Sequence, residues 1–286
     1  MNHFFSRSMF FLLAFLAGAL MLAWVGMAVA APVKDTPEGV IPPGYDPEMV
    51  DFSVNIQPHF PGITVGILSK EKKGRPHVFY FYPKTGNSVV DKIVYDRITR
   101  DAKEFFNEVA KYKGNPALAE WLNKWDRYSN YKISRPSDNA INIVFGFGGY
   151  QGGRAPWYYE ESLYFHLPDG KQLGFNDLFD DPQMALKLMS AWSRKQLEAV
   201  LIRQGRSPDQ IKSASENIAE GTAPTKQNFS ALTLRPDGID IHFGYYQLGA
   251  LSYPKVYMPL HELEKAGPKA QVWGQQQINA DSPPII

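Results

Sequence analysis

One continuous stretch, residues 139–167, constrains the fold of this chain more than any other part of its sequence. Before a glycine-rich segment, apolar residues fall on every second position, which is the period of a half-buried strand. These residues are Ile141, Ile143, Phe145 and Phe147. A second alternating run extends from Tyr158 to Leu167. The stretch therefore predicts two neighbouring strands joined by a glycine-rich connection, where we expect a recognition surface.

The glycines of this connection invite comparison with phosphate-binding loops. A dinucleotide fingerprint that starts at Gly146 would need glycine at the position of Gln151, and no Gly-Lys-Ser/Thr sequence follows. The next element is a strand, so no helix N-terminus faces the loop. We therefore expect no nucleotide, and we expect the glycines to permit positive φ angles and a bulge.

Aromatic residues and an arginine gather in and around the same connection. Protein-recognition hot spots and sugar-stacking surfaces use these residue types. The alternative is that the aromatic rings only cover a sheet edge or the rim of a core. The candidate partner-binding residues here are Tyr150, Arg154, Trp157, Tyr158 and Tyr159.

Strand and helix patterns follow one another in the order ββααββ and then βααβββ. The clearest helix carries an apolar stripe from Val90 to Val109 and begins at Ser88-Val-Val-Asp91, which resembles a capping box. A second helix starts at Asn115 and carries Trp121 and Trp125, which we expect on a buried face. Hairpins rather than helical crossovers join neighbouring strands. The sequence therefore predicts an α+β fold with antiparallel sheets, helices packed on one face, and two related-looking subdomains.

The first thirty residues have the pattern of a signal peptide. Arg7 is the only charged residue before an uncharged apolar run, and Ala28-Val29-Ala30 supplies a small-x-small cleavage motif. We expect cleavage after Ala30 and a periplasmic or secreted protein. The alternative is an uncleaved membrane anchor, because the run reaches the ~20 residues that cross a bilayer.

The remaining segments divide by composition and pattern. Residues 31–50 are rich in proline and predict an extended linker. We expect an N-terminal α+β subdomain over residues 51–165 and a C-terminal one over residues 166–267. A Gln- and Pro-rich tail, residues 268–286, is expected to be disordered.

Composition and spacing argue against several kinds of chemistry. The formal net charge is +1, which gives no electrostatic reason for binding nucleic acid, and cysteine is absent. No Gly-x-Ser-x-Gly elbow occurs, and no two histidines of the exported body have the spacing of a metal-binding helix. Glu160 and Glu161 are adjacent in a strand, so they point to opposite faces. We expect no catalytic residue, no metal and no cofactor.

Three segments share their order and spacing with a known group of exported domains. The first is the helix 89–109. The second begins at Tyr150-Gln-Gly-Gly153 and continues through a strand to Asp169–Leu173 and Asn176–Phe179. The third begins at Asn228-Phe229 and continues through the Pro-Asp-Gly hairpin to Phe243, Tyr246 and Val256–Pro259. Over roughly residues 50 to 265 the chain resembles the exported domain of RsiV-type anti-sigma factors. This region is similar also to the accessory domain of PdaC-type peptidoglycan deacetylases.

The resemblance implies an exported binding module. RsiV-type domains bind lysozyme outside the cell and signal to a cytoplasmic sigma-binding segment. Because only eight residues precede the apolar run and we find no deacetylase pattern, we expect neither an anti-sigma role nor a deacetylase domain. Arg154-Ala155 stands where the family has alanine and histidine, and the loop after Tyr246 differs at Gly249–Tyr253. Both loops correspond to ligand-facing loops, so Tyr246 and Tyr253 join the candidate residues.

The sequence thus favours a non-enzymatic envelope protein that binds a protein such as lysozyme or a peptidoglycan fragment. We expect neither nucleic acid nor nucleotide as a partner, and contact with the membrane only if the leader is uncleaved. The alternative is an envelope hydrolase whose site is assembled from residues distant in sequence.

Overall fold

The computed structural model describes residues 62–70, 76–115, 118, 121–152, 156–244, 246–249 and 255–275. The expected signal peptide and linker lie outside these residues. Within them, no helix combines the length and the apolar character that crossing a membrane requires.

A six-stranded sheet forms the first half of the described chain, with one long helix between its second and third strands. Its strands are β1 (Thr64–Lys70), β2 (His77–Lys84), β3 (Asp126–Ser137), β4 (Ala140–Tyr150), β5 (Trp157–His166) and β6 (Lys171–Leu173), and the helix is α1 (Ser88–Tyr112). The strands lie in sequence order across the sheet.

All neighbouring strands of this sheet are antiparallel except β2 and β3, which pair in parallel from His77–Asp126 to Tyr80–Ser129. The expectation that hairpins alone join neighbouring strands is therefore wrong at one place. Parallel neighbours need a crossover, and α1 supplies it. The mixed architecture confirms the predicted α+β class.

A smaller antiparallel sheet and three helices form the second half. The elements are a 3₁₀ turn (Phe175–Asp177), α2 (Pro182–Arg203), α3 (Pro208–Gly221), β7 (Leu232–Arg235), β8 (Gly238–His242), β9 (Lys255–Pro259), a second 3₁₀ segment (Leu260–Ala266) and α4 (Ala270–Trp273). The Pro236-Asp237-Gly238 turn joins β7 to β8, as the sequence predicts. A capping box forms at the start of α3, between Ser207 and Gln210.

Helix α1 buries the predicted apolar stripe, but its cap differs from the prediction. Val90, Val94, Ile98 and Phe105 are fully buried. The N-cap is Asn87, whose side chain accepts from the backbone N–H groups of Val89 and Val90. Ser88 is the first residue of the helix.

Strand β4 is buried on both faces, not on one as predicted. Ile143 and Phe145 face α1 in one hydrophobic cluster, whereas Ala140 belongs to a second cluster formed with α2 and the smaller sheet. Asn142 accounts for part of the burial of the second face, because its Oδ1 accepts from the backbone N–H of Leu234 at 2.8 Å. Ser162 makes a matching contact, accepting from the N–H of Leu232 at 2.8 Å. Polar side chains of β4 and β5 thus bind the backbone of β7, which would otherwise be an open edge.

Most of the glycines of the opening stretch lie inside β4, and the predicted bulge is wrong there. Gly146, Gly148 and Gly149 pair in regular register with β3 and β5, and none has a positive φ angle. None of them has room for a Cβ: at Gly148 it would overlap the ring of Tyr128, and at Gly149 it would overlap the carbonyl oxygen of Asp126. Among the described glycines of the stretch, only Gly152, at φ 84°, has the left-handed backbone that we expected.

The start of the C-terminal tail is ordered, contrary to the prediction of disorder from residue 268. Phe179 forms a β-bridge with Pro268, and Trp273 is fully buried with its Nε1 donating to the carbonyl of Arg235 at 3.1 Å. A buried indole outweighs the polar composition around it. Residues 276–286 lie outside the described part, and the division into subdomains at residue 165 stays a prediction.

Candidate functional site

The predicted aromatic residues divide between the two faces of the six-stranded sheet. Trp157 and Tyr159 lie on the α1 face, since they pair with Gly149 and Phe147, and Tyr158 pairs with Gly148 on the opposite face. Tyr150 shares the face of Tyr158 by the same alternation. Arg154 and Tyr253, the other two candidates of these loops, lie outside the described residues.

On the α1 face, three rings form a continuous stack at the edge of the sheet. Trp157 stacks on Tyr159 with ring centroids 5.7 Å apart and an interplanar angle of 17°. Tyr159 stacks in turn on Phe147, at 5.4 Å and 24°. Phe147 is fully buried, whereas Tyr159 is 37% exposed. The stack therefore runs from the core to the surface.

Arg97 of α1 holds the stack in place. Its Nε and Nη2 donate to the two carboxylate oxygens of Glu161, and Nη2 also donates to the Tyr159 hydroxyl at 3.0 Å. Its guanidinium lies 4.3 Å from the centroid of the Phe147 ring. A bidentate carboxylate and a ring face leave little freedom to a guanidinium that is 11% exposed.

A second arginine, Arg127 of β3, lies closer to the end of the sheet. Its guanidinium packs between the rings of Phe105 and Trp157, with centroids at 5.7 and 5.2 Å. Its Nη1 pairs with Asp101 at 3.2 Å, and Asp101 also accepts from the Tyr80 hydroxyl at 2.6 Å. Burial and the neighbouring Asp101 raise the pKa of Tyr80 far above its usual range. Tyr80 is therefore a permanent donor to the buried Asp101 carboxylate.

Unpartnered polar atoms concentrate at this end of the sheet. Among the described residues, seven buried side-chain nitrogen or oxygen atoms have no hydrogen-bond partner. Four of them lie at one end of the sheet: His77 Nε2, Arg127 Nε and Trp157 Nε1 at the starts of β2, β3 and β5, and Gln151 Nε2 just after the end of β4. Buried polar groups without partners are rare in folded proteins, so four at one sheet end mark a place for a ligand or ordered water. We call Arg127, Gln151, Trp157 and Tyr159 the sheet-end site.

Two tryptophans that precede β3 lie close to the sheet-end site. Trp125 packs edge-on against Tyr112, with ring centroids 5.6 Å apart, and its Nε1 lies 3.2 Å from the place of a Cβ on Gly152. Trp121 is 48% exposed, so its predicted burial is wrong; Leu122 is the buried residue of this segment. Much of the predicted helix around them, including residues 116, 117, 119 and 120, lies outside the described part.

A chain of polar side chains crosses between the two sheets on the other face. The Tyr158 hydroxyl donates to Glu160 at 3.1 Å, and His242 Nδ1 lies 2.7 Å from the second Glu160 oxygen. His242 Nε2 lies 2.9 Å from Thr233 Oγ1. Burial favours the neutral form of Glu160, but the hydrogen bond and charge of His242 outweigh it and hold the pKa of Glu160 below its usual value.

Thr233, His242 and Glu160 have the connectivity of a nucleophile, a base and an orienting acid. Acyl transfer also needs donors for the developing oxyanion. The backbone N–H groups on either side of Thr233, those of Leu232 and Leu234, already donate to Ser162 and Asn142. The arrangement is therefore better suited to joining the sheets than to catalysis. Glu161 lies on the opposite face from Glu160, as the sequence predicts.

Tyr246 belongs to a turn that packs against α3. It is 69% exposed and has a φ angle of 62°, which is strained for a tyrosine. Gln247 fixes the turn, because its Nε2 donates to the carbonyls of Gly221 and Asn228. An open cavity of about 420 Å³ lies beside the turn, and Leu248 is part of its lining. The turn presents Tyr246 outwards, although on a different part of the fold from Trp157 and Tyr159.

The described residues contain no group of three or more histidine, aspartate or glutamate side chains that would hold a metal ion. In the described part of the chain, the chemistry of the site is therefore that of aromatic faces and hydrogen-bond donors.

Comparison by sequence finds one partial relative among curated proteins. A stretch of 121 residues, 42% of this chain, is 26% identical to the peptidoglycan-N-acetylmuramic acid deacetylase PdaC of Bacillus subtilis (strain 168). The matched stretch spans 24% of the length of that protein. No family model matches the chain.

Comparison by structure gives broader coverage. A DUF3298 family protein from Pseudomonas aeruginosa PAO1 superposes with a TM-score of 0.50 at 13% identity, covering 74% of this chain and 96% of that one. The chain has the fold of DUF3298 proteins. A DUF3298 member from Bacteroides fragilis NCTC 9343 gives a TM-score of 0.50 at 12% identity, covering 76% and 97%. At these identities the likeness establishes the fold alone.

Sequence reasoning missed the residues that organise the site from α1 and β3. Arg97 and Asp101 are four residues apart on the edge of the apolar stripe of α1, where a charged side chain needs a partner. Their position in the sequence could therefore have identified them as a partly buried ion pair. Arg127 had no local signal, because its contacts with Phe105 and Trp157 join residues distant in sequence.

Proposed function

We propose that this chain is an exported, non-enzymatic protein of the cell envelope that binds a partner at the sheet-end site. The partner is either a protein such as lysozyme or a fragment of peptidoglycan. The proposal includes cleavage of the signal peptide after Ala30 and a periplasmic or secreted location.

The observation that carries the proposal is the aromatic stack of Phe147, Tyr159 and Trp157. Its innermost ring, Phe147, is fully buried beneath the Arg97 guanidinium, and Tyr159 is 37% exposed. A rigid aromatic ring costs little conformational entropy when a partner covers it, and such rings dominate binding energy at protein and sugar interfaces. The unpartnered donors of Arg127, Gln151 and Trp157 add hydrogen bonds that only a partner or water can complete.

Relatives support an envelope role. The partial relative PdaC is named for an activity on peptidoglycan, and the DUF3298 proteins share the fold. The resemblance to RsiV-type domains adds lysozyme as a partner class. Because the matched stretch is a quarter of PdaC, we carry over the envelope setting and not the deacetylase activity.

Calorimetric titration of the protein with lysozyme and with muropeptides tests the proposal. We expect one of them to bind, and we expect Tyr159→Ala to weaken that binding at least tenfold. Tyr95→Ala is the matched control, since Tyr95 is 47% exposed but packs over Tyr82 of β2. No binding of either class, or equal effects of the two substitutions, would contradict the proposal.

A hydrolase is the second candidate function, favoured by the Thr233–His242–Glu160 connectivity. In that case Thr233 would be the nucleophile and His242 the base, and peptidoglycan-derived esters or amides would be the substrates. Incubation of the protein with muropeptides, followed by mass spectrometry, distinguishes the two. Product formation that His242→Ala abolishes would favour the hydrolase, and unchanged muropeptides would favour the binding module.

A further inference from the structure

The unpartnered atoms of the sheet-end site are all hydrogen-bond donors. The indole Nε1 of Trp157 and the Nε of Arg127 can only donate, and the Gln151 atom is the amide nitrogen. Arg127 and Trp157 flank Gly149 from the two neighbouring strands, and the guanidinium carbon of Arg127 lies 5.2 Å from the centroid of the Trp157 ring. A ligand that completes these bonds must present oxygen acceptors.

The charges around these donors are already balanced. Arg97 pairs with Glu161, and Arg127 pairs with the buried Asp101 at 3.2 Å. Each of these two arginines is therefore already matched by a carboxylate, which leaves neither guanidinium without a counter-charge to attract an anion. A carboxylate or phosphate would have to give up its hydration without gaining a net counter-charge, which is unfavourable in a partly buried site.

An aromatic platform lies next to the donors. Trp157 and Tyr159 are nearly coplanar in orientation, with an interplanar angle of 17°. The Trp157 and Gln151 side chains are partly exposed at the rim of the sheet, whereas their unpartnered nitrogens are buried, so a ligand must displace the atoms that cover these nitrogens to accept from them. The exposed part of the Tyr159 ring beside donors suits a ring with apolar C–H faces and oxygen substituents at its edge, which is the chemistry of a sugar.

We infer that the sheet-end site binds an uncharged, N-acetylated glycan, with the acetamido carbonyl and hydroxyl oxygens accepting from Trp157, Arg127 and Gln151. This inference rests on the proposed function and selects the glycan over a protein partner. The amide carbonyl is the strongest neutral acceptor that such a sugar carries, so removal of the acetyl group must weaken binding.

The test is calorimetric titration of the full chain with an oligomer of N-acetylglucosamine and with the corresponding glucosamine oligomer. We expect the acetylated oligomer to bind with the same affinity at low and high salt, since neither partner contributes net charge at the site. The glucosamine oligomer should bind at least tenfold more weakly. Equal affinity for both oligomers, or affinity for the acetylated oligomer that falls steeply with salt, would overturn the inference.

Two substitutions make the test specific to the donors. Trp157→Phe keeps an aromatic face but removes the indole N–H, and should weaken binding about three- to tenfold, the change expected for one hydrogen bond to a neutral acceptor. Trp192→Phe is the control, because the Trp192 indole donates within the fold to the carbonyl of Tyr257 at 2.8 Å. It should leave the affinity unchanged. A Trp157→Phe variant that binds as the parent protein does would contradict the role of the donor.

Lysozyme separates this inference from the proposed function. If lysozyme binds at the sheet-end site and the acetylated oligomer does not, the glycan assignment fails while the binding module stands. If neither binds, both fail, and ordered water is the partner of the buried donors.

Discussion

The imidazole of His242 lies 2.7 Å from the carboxylate of Glu160, and this pair joins β8 of the smaller sheet to β5 of the larger one. Both side chains are largely buried, with 8% and 19% of their surface exposed. Thr233 contacts His242 at one end of this pair, and Tyr158 donates to Glu160 at the other. The contact between the sheets therefore includes an ionisable link whose strength depends on pH.

Acidification should weaken this link. Because the pKa of Glu160 is lower in the folded protein than its unfolded value of about 4.3, the folded state binds fewer protons. The link contributes stability above that unfolded pKa and loses it as the pH falls through the folded value. We expect Glu160→Gln to cost about 1–3 kcal/mol of unfolding free energy at neutral pH, and less at acidic pH, where the carboxylate of the folded protein is protonated. Urea unfolding at both pH values measures the difference.

Glu104→Gln serves as the control for this comparison, because Glu104 is an exposed residue of α1. It should change stability by less than about 0.5 kcal/mol at either pH. A cost of Glu160→Gln that is the same at neutral and acidic pH would show that the carboxylate charge does not stabilise the fold.

Replacement of Arg97 should be strongly destabilising. Arg97→Ala leaves Glu161 and the buried Asp101 without part of their counter-charge and removes a guanidinium from the Phe147 ring. Loss of one partner from a buried ion pair costs about 3–5 kcal/mol. Arg97→Lys keeps the charge but cannot pair bidentately, so we expect an intermediate cost. Chemical denaturation of the two variants measures this order, and equal stability of Arg97→Lys and the parent would contradict it.

The glycines inside β4 should be intolerant of any side chain. A Cβ at Gly148 would overlap the ring of Tyr128, which is only 9% exposed and has little room to move. We expect Gly148→Ala to cost about 1–3 kcal/mol, the usual cost of overpacking. Thermal unfolding of a double-mutant cycle with Tyr128→Ala checks the cause, since the cost should fall sharply once the ring is gone.

Gly174→Ala is the matched control for the glycine prediction. Gly174 has a negative φ angle, and its nearest atom to an added Cβ is Asp177 Oδ2 at 3.5 Å, an ordinary contact. We expect Gly174→Ala to leave the free energy of unfolding almost unchanged. If Gly148→Ala cost no more than this control, the packing argument would be wrong.

Trp273 should contribute as much stability as a central core residue. Its ring is fully buried, packs 5.6 Å from Phe179 and donates to Arg235. We expect Trp273→Ala to cost about 3–5 kcal/mol in denaturant unfolding. Trp121→Ala, at a residue that is 48% exposed, should cost less than about 0.5 kcal/mol. Similar costs for the two would contradict the ordered packing of the tail.

Local periodicity predicted those parts of the fold in which one face of an element decides the structure. The stripe of α1 is an example, because that helix has one dominant contact surface. The burial of both faces of β4 and the parallel pairing of β2 with β3 depend on contacts between residues far apart in sequence. The polar composition of the tail predicted disorder, which is wrong at Trp273, because its buried ring orders the chain in spite of its polar neighbours.

The sequence places candidate partner-binding residues on β5, and that assignment stays a prediction; it does not predict which side chains hold them in place. The aromatic residues of β5 were recognised, yet strand alternation separates Trp157 and Tyr159 from Tyr158. The arginines that hold the stack come from α1 and β3, and only the folded sheet brings them to it. Residue spacing within one segment carries no information about such partners.

Hydrogen exchange measured by mass spectrometry, with and without saturating muropeptides or lysozyme, tests the central claim most directly. The proposed function predicts that a bound partner slows exchange in peptides that cover the start of β3, the end of β4 and the start of β5. Exchange at the Tyr246 turn should stay unchanged. Protection confined to that turn, or no protection with either partner, would contradict binding at the sheet-end site.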